Sequence, residues 1–70
     1  MNKYAIGNNI IDRLRWCKMT QRELAARTGV TEVTLSRWIN GNRQASSYGL
    51  YRISKVLNCT MEDLMKGIEE

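Results

Sequence analysis

The chain has 70 residues, 43% of them hydrophobic, and carries 11 lysine and arginine side chains against 7 aspartate and glutamate, for a net charge of +4. A chain this short forms one small domain with a modest core, so we expect residues 1–70 to be a single domain without a separate catalytic or ligand-sensing unit. It has no histidine and no Cys-x-x-Cys motif, which argues against a zinc site, and no apolar run near the ~18 residues of a transmembrane helix. We therefore expect a soluble, cytoplasmic protein with no metal, no cofactor and no membrane association.

The charge is distributed unevenly along the chain. Residues 1–55 contain ten basic and three acidic side chains, whereas residues 56–70 contain one basic and four acidic side chains. A basic body with an acidic end suits a polyanionic partner. The alternative is a solvated basic surface that binds nothing.

The first predicted helix begins after Asn8 or Asn9, either of which can cap it, and runs to about Lys18. Residues 1–7 are expected to start as a loose segment that ends at Gly7, with Tyr4 and Ile6 as candidates to pack back on the body. The apolar stripe of this helix follows the spacing i, i+4, i+7 and consists of Ile10, Leu14 and Cys17.

One residue of this helix leaves two alternatives open. Trp16 lies off the apolar stripe, so it is either a partly exposed aromatic residue or a contact for the tail. Cys17 and Cys59 occupy apolar-periodic positions, and we expect both to be small buried hydrophobic residues in a reducing compartment.

Residues 20–41 contain two short helix patterns separated by one turn. Thr20 and Glu23 form a capping-box pattern at the start of the first, and Gly29 ends it because glycine adopts positive φ without steric cost. Thr31 offers a second N-cap. The apolar positions of the second pattern are Leu35, Trp38 and Ile39, and Gly41 marks its end.

Two further helices are predicted after a polar loop at residues 41–47. Ser46 or Ser47 can cap a fourth helix that extends to about Leu57, although Gly49 weakens its start. Thr60, with Asp63 three residues later, can cap a short fifth helix. The apolar positions of this fifth helix are Met61, Leu64, Met65 and Ile68. No segment alternates with period two, so the predicted fold class is all-α, a five-helix bundle.

A helix, a glycine turn and a second helix form the helix-turn-helix unit, whose second helix enters the major groove of DNA. The alternative is an ordinary helical hairpin packed within a small bundle. Spacing alone does not separate the two.

The sequence also resembles a known family, the Cro/repressor-type helix-turn-helix DNA-binding domains of phages and bacteria. The resemblance covers about residues 8–66 and depends on Met-Thr-Gln-Arg-Glu-Leu-Ala at 19–25, Gly29, Val30-Thr31, Leu35 and Asn40-Gly41. It implies a repressor-like five-helix bundle, with a recognition helix at about Thr31–Asn40 in the major groove. It also implies a sequence-specific regulator of transcription, such as a repressor of phage, mobile-element or bacterial origin.

The resemblance implies contacts with double-stranded DNA at Gln21, Glu32, Val33, Thr34 and Arg37. The other candidates are expected from their position on or beside the recognition helix. The expected base-reading residues are Glu32, Val33 and Arg37. The expected backbone contacts are Gln21, Thr31, Thr34, Ser36, Asn40, Asn42 and Arg43. Arg37 is the strongest candidate because a guanidinium can donate two hydrogen bonds to guanine, although a phosphate contact is its alternative role. Glu32 also suits a helix N-terminus without any DNA.

A domain of this size touches few bases, so tight specificity usually requires two copies. We expect a homodimer, at least on DNA, through Met61, Leu64, Met65 and Ile68. The alternative function is a protein-interaction module of the same fold, such as an antitoxin or antirepressor partner. An enzyme and a small-molecule ligand are not expected, because the chain has no histidine and no nucleophile–base pair.

Overall fold

The computed structural model describes residues 2–69, and within that range the chain forms five helices and no strand. These are α1 (Ala5–Cys17), α2 (Gln21–Thr28), α3 (Glu32–Ile39), α4 (Ser47–Val56) and α5 (Met61–Met65). Helix α1 packs on α3 and α5, and α4 packs on α2 and α5. The prediction of an all-α, five-helix bundle is confirmed.

The core is one cluster of apolar side chains supplied by all five helices and the residue that follows α4. Its buried members are Ile10, Leu14, Leu24, Ala25, Leu35, Trp38, Leu50, Ile53, Leu57 and Leu64. These side chains occur at helical spacing in the sequence, which is why the core positions of the central helices could be predicted from it.

Helix α1 begins at Ala5, so the prediction of a loose segment ending at Gly7 is wrong. Gly7 is buried inside the helix, and a Cβ atom at this position would overlap the carbonyl oxygen of Ile39. The glycine therefore allows α1 to lie directly against the main chain at the end of α3. The early start follows from this packing, because tertiary contact outweighs the local cost of a glycine in a helix.

The predicted caps of α1, Asn8 and Asn9, are wrong for the same reason. Asn9 lies within α1, and its side-chain amide donates hydrogen bonds to the carbonyl oxygens of Leu64 and Lys66, each at 2.8 Å. The main-chain N–H of Asn2 donates to the carbonyl oxygen of Ile68 at 2.9 Å. Hydrogen bonds thus attach the beginning of the chain to the region after α5.

The predicted burial of the cysteines is wrong for Cys17 and holds only in part for Cys59. Cys17 is exposed at the last position of α1, and Lys18, in a left-handed conformation with φ 53°, caps the helix directly after it. Cys59 is half-buried, and burial raises the pKa of its thiol, with the charge of Arg13 opposing that effect. Trp16 is 82% exposed, so of its two alternatives it is the exposed aromatic residue and not a contact for the tail.

The predicted N-caps of the later helices are confirmed. The hydroxyl groups of Thr20, Thr31, Ser46 and Thr60 each accept the N–H of the third residue that follows. At Thr20 and Thr60 the carboxylates of Glu23 and Asp63 complete capping boxes. These side chains satisfy N–H groups that a helix cannot pair internally, so the ends of the short helices are well defined.

Gly49 has a packing role that the sequence reading missed. A Cβ atom at this position would overlap the indole ring of Trp38, whose Cζ3 would lie 2.7 Å away. The residue is buried in the first turn of α4. Its missing side chain creates the space in which the Trp38 ring packs, and this contact positions α3 against α4.

Candidate nucleic-acid interface

The turn between α2 and α3 is organised by Thr28 and Gly29. Gly29 has φ 77°, and its N–H donates to the carbonyl oxygen of Ala25. The buried hydroxyl of Thr28 donates to the carbonyl oxygen of Leu24 at 2.8 Å and accepts the N–H of Val30 at 3.4 Å. One side chain therefore links the end of α2 to the approach to α3.

Sequence reasoning did not single out Thr28. The signal that could have identified it is a threonine directly before a helix-ending glycine, where its hydroxyl reaches the carbonyl group four residues earlier.

Helix α3 has a buried side and an exposed side. Leu35 is fully buried and Trp38 is 8% exposed, which confirms that both point into the body. Val33 is 61% exposed, and Arg37, four residues later on the same side of the helix, is also exposed. Val33 and Arg37 together form an exposed ridge on α3. Within residues 2–69 Arg37 has no ion-pair partner, so the ridge is available to contact another molecule.

The other predicted contacts on α3 have less freedom. Thr31 donates to the hydroxyl of Thr34 at 2.9 Å while it accepts the N–H of the same residue, and Thr34 is half-buried. Ser36, also half-buried, accepts a hydrogen bond from the Asn40 side chain at 3.2 Å. Glu32 is exposed in the first turn of α3. The hydroxyl groups therefore support the helix, and only their remaining lone pairs and protons are available to a ligand.

Gln21 is exposed at the first position of α2, directly after the capping residue Thr20. The Thr20–Glu23 capping box uses the N–H groups of those two residues. The side-chain amide of Gln21 therefore extends from a helix end whose geometry is fixed. An amide at a helix N-terminus can donate to an anion that the helix dipole also attracts.

The loop after α3 is held by the carbonyl oxygen of Arg37. It accepts the N–H groups of Asn42 at 2.9 Å and Arg43 at 3.3 Å, while the N–H of Gly41, at φ 73°, donates to Trp38. This pattern is the Schellman ending of a helix. The exposed side chains of Asn42 and Arg43 are thereby presented beside the end of α3.

The arginines of this region are free of ion pairs within the part of the chain that the structure describes. The two ion pairs there join Asp63 to Arg13 at 3.5 Å and to Lys66 at 3.8 Å. Exposed arginines that have no ion-pair partner in this range include Arg22, Arg27, Arg37, Arg43 and Arg52. The result is a positive surface over α2, α3 and the following loop.

Arg52 on α4 extends this surface, and sequence reasoning did not name it. Its guanidinium nitrogen would lie 3.5 Å from a Cβ atom at Gly29, so it borders the α2–α3 turn. The same group lies over the Tyr48 ring, 5.3 Å from its centre. The tyrosine therefore limits the positions of this charge at the edge of the helix-turn-helix unit.

The predicted dimer surface needs one correction. Leu64 is fully buried and belongs to the core of the same chain, so it cannot contact a second copy. Met61 is half-buried against the core, Ile68 is half-buried, and Met65 is 39% exposed. The short helix α5 uses its leucine for folding, and only its outer side is available to a partner.

Among residues 2–69, no group of three or more histidine, cysteine, aspartate or glutamate side chains is arranged to hold a metal ion. None of the helices in that range is long and apolar enough to cross a bilayer.

Comparison with protein families gives a match to the helix-turn-helix family over residues 10–64. The chain is 34% identical over 65 residues to the HTH-type transcriptional regulator DicA of Escherichia coli (strain K12), covering 93% of this chain and 48% of DicA. It is 31% identical over 67 residues to repressor protein C2 of Salmonella phage P22, covering 96% of this chain and 31% of that repressor. The chain thus spans less than half the length of these curated relatives.

Solved structures agree with this result. The solution structure of the DNA-binding domain of the P22 C2 repressor superposes with a TM-score of 0.83 at 31% identity, covering 96% of this chain and 88% of that domain. The crystal structure of apo-HppE superposes with a TM-score of 0.78 at 28% identity, covering 91% of this chain and 36% of HppE. The likeness to HppE is therefore limited to about a third of that protein.

Proposed function

Because this chain belongs to the helix-turn-helix family, we propose that it is a sequence-specific double-stranded DNA-binding regulator of transcription that acts as a repressor. The family match over residues 10–64 confirms the resemblance, which covers about residues 8–66. The names of DicA and the P22 C2 repressor support regulation and repression respectively. The observation that carries the proposal is the exposed ridge of Val33 and Arg37, which lies on a helix whose other side is buried.

In the proposed complex, α3 lies in the major groove and supplies the base contacts. Arg37 donates two hydrogen bonds to guanine, Val33 contacts the methyl group of thymine, and Glu32 accepts from the amino group of cytosine. The exposure of all three side chains supports these roles.

The proposed backbone contacts surround the groove on both sides. Gln21 contacts a phosphate at the start of α2, where the helix dipole adds to the attraction. Asn42 and Arg43 contact phosphates beyond the end of α3, on a loop that the Schellman hydrogen bonds hold in place. Thr31, Thr34, Ser36 and Asn40 use their remaining hydrogen-bonding capacity on nearby phosphates.

We further propose that two copies bind a two-fold symmetric site, with Met61, Met65 and Ile68 at the contact. One domain covers few base pairs, and a second copy doubles the number of bases that are read. Met65 is the most exposed of the three and would be at the centre. Sedimentation of the protein with duplex DNA tests this, and a single protein copy per duplex at saturation would contradict it.

The second candidate is a protein-interaction module that keeps the fold without binding DNA. The exposed arginines without ion pairs favour DNA over this alternative, because a partner protein does not require cations on α2, α3 and the loop together. In this role we expect the protein to be cytoplasmic, and associated with the nucleoid when it is bound to DNA.

The direct test is selection of bound sequences from a pool of random duplexes, followed by affinity measurement from 50 to 200 mM salt. We expect one enriched motif and an affinity that falls steeply with salt, because phosphate contacts release counterions. No enrichment, together with an affinity independent of salt, would exclude the proposal and favour the interaction module.

A further inference from the structure

A cavity of about 250 Å³ lies where three separate parts of the chain meet. These are the N-terminal segment, the loop after α3, and Ile68 near the other end of the chain. The volume exceeds the ~150 Å³ of a protein cavity that accommodates benzene, and it lies just below the usual range of ligand pockets. It therefore suits a small ligand with a single ring.

The main chain holds the three walls in fixed positions. The N–H of Asn2 donates to the carbonyl oxygen of Ile68, and the N–H of Arg43 donates to that of Arg37. Gly41 lies against the N-terminal segment, because a Cβ atom there would be 3.1 Å from the carbonyl oxygen of Lys3. The cavity is thus part of the folded structure and does not depend on an open loop.

The walls are largely apolar. The apolar residues that line the cavity are the buried Trp38 and the half-buried Ile6, Ala45 and Ile68. An indole and two branched aliphatic side chains favour a flat ring or a branched hydrocarbon group.

The charged residues that line the cavity indicate which polar group the ligand carries. Lys3 and Arg43 both line the cavity and are exposed, and no acidic side chain is among its lining residues within the described range. The Lys3 ammonium lies 5.2 Å from the centre of the Tyr4 ring on the same segment. An arginine and a lysine beside an apolar wall match a carboxylate, which a guanidinium binds through two parallel hydrogen bonds.

We propose that this cavity binds a small apolar carboxylate, and that its occupation weakens DNA binding because the ligand neutralises Arg43. The first part concerns the isolated protein. The second part rests on the proposed function, in which Arg43 contacts the DNA backbone. A ligand that uses the charge of Arg43 competes with phosphate for it, and by linkage DNA weakens the ligand to the same extent.

Benzoate is a suitable probe, and benzyl alcohol is its neutral control because the two have the same ring and nearly the same size. A Trp16→Phe background leaves Trp38 as the single tryptophan, since Trp16 is exposed and outside the cavity. Titration is followed by Trp38 fluorescence and by amide and side-chain resonances. We expect benzoate to shift resonances of Ile6, Trp38 and Ala45, and benzyl alcohol to bind at least tenfold more weakly.

Four variants separate effects specific to the cavity from general effects of charge. Arg43→Ala and Lys3→Ala should each weaken benzoate severalfold, and Ala45→Leu, which fills the cavity, should abolish the shifts. Arg22→Ala removes an exposed arginine outside the cavity and should leave binding unchanged. Thermal melting of each variant verifies that it is folded.

Several outcomes would overturn the cavity assignment. One is equal binding of benzoate and benzyl alcohol, and another is an equal loss in Arg22→Ala and Arg43→Ala. A third is a change of the Ile6 and Ala45 resonances on dilution without ligand, because these two residues lie outside the proposed dimer contact and their change would assign the cavity surface to a second copy of the chain.

The DNA part is measured separately, on the motif obtained by selection. Saturating benzoate should raise the dissociation constant of the unaltered chain for DNA about tenfold and leave that of Arg43→Ala unchanged. An unchanged dissociation constant in both proteins would overturn the regulatory half while the cavity assignment stands on its own titration. Failure of any DNA to bind would overturn the proposed function and the regulatory half together, and the fluorescence titration would still decide the cavity.

Discussion

Gly7 in α1 lies directly against the carbonyl group of Ile39 at the end of α3, with no room for a Cβ atom between the two main chains. This contact joins the first helix to the helix that carries the exposed ridge. The orientation of α3 thus depends in part on a residue far from it in sequence.

Replacing Gly7 by alanine should destabilise the protein by about 1–3 kcal/mol, the usual cost of an added methyl group in a packed interior. The free-energy cost of the overlap with the Ile39 main chain exceeds the free energy that alanine gains over glycine as a helix former. Urea unfolding measures the effect, and Asn8→Ala, at an exposed neighbouring position, serves as the control. A Gly7→Ala protein as stable as the parent would show that the two helices do not approach so closely.

Replacing Asn9 by aspartate should cost about 1–3 kcal/mol of unfolding free energy. Both N–H donors to the carbonyl oxygens of Leu64 and Lys66 are lost, and a carboxylate faces the two acceptors instead. The matched control is Asn8→Asp, since Asn8 is exposed one position earlier. Equal stabilities of the two variants would argue that Asn9 does not hold the end of α5.

Replacing Thr28 by valine should lower the unfolding free energy by about 1–2 kcal/mol, because the partly buried N–H of Val30 loses its acceptor while the shape of the side chain is kept. Thr28→Ser keeps the hydroxyl and loses a methyl group. If hydrogen bonding is the cause, hydrogen exchange at Val30 should accelerate in the valine variant and remain slow in the serine variant. Faster exchange in serine alone would assign the effect to packing.

Acid should weaken the attachment of α5 through Asp63. The Thr60 backbone N–H that Asp63 accepts lowers the pKa of this carboxyl, and the charges of Lys66 and Arg13 act in the same direction. A lowered pKa in the folded state means that stability is fully present above the ordinary value of 3.8 and is lost as pH falls through the lowered value.

This pH effect can be measured from melting temperatures below pH 5. Asp63→Asn keeps an acceptor for the cap but removes the charge, so its melting temperature should fall less steeply on acidification. Glu62→Gln changes the exposed neighbouring carboxylate and should behave like the parent. Parallel acid profiles for the parent and Asp63→Asn would assign the acid sensitivity to other carboxylates.

Arg37→Ala and Arg43→Ala should differ in their effects on DNA. Arg37→Ala should cost about 1–3 kcal/mol of discrimination and relax the preference at one base position. Arg43→Ala should weaken all sequences alike and reduce the salt slope by about 1. Repeating the selection and the salt series with each variant distinguishes them, and the reverse pattern would exchange the two roles.

The local features of this chain were readable from sequence because they depend on neighbouring residues. A hydroxyl such as that of Thr20 reaches an N–H three residues later, and Gly29 relieves the steric cost of positive φ at one position. The inward side of α3 follows from the spacing of Leu35 and Trp38, which a helix places on one side. These short-range rules sufficed to predict five helices and the outward side of α3, whereas the DNA contacts on that side were implied by the family resemblance.

The errors concern residues whose role depends on distant partners. Gly7 and Gly49 look like interruptions until Ile39 and Trp38 are placed beside them. Leu64 looked available to a second copy, yet the other helices enclose it completely.

By itself, the sequence determined the helix pattern, the capping residues, the glycine turn and the excess of basic side chains, because each is a property of composition or of residues within one or two turns. Only the tertiary structure decided where α1 begins, which glycines are contacts, and that Lys3, Arg43 and Ile68 border one cavity. Those features arise from segments far apart in the chain, and close packing joins them at distances that no local pattern encodes.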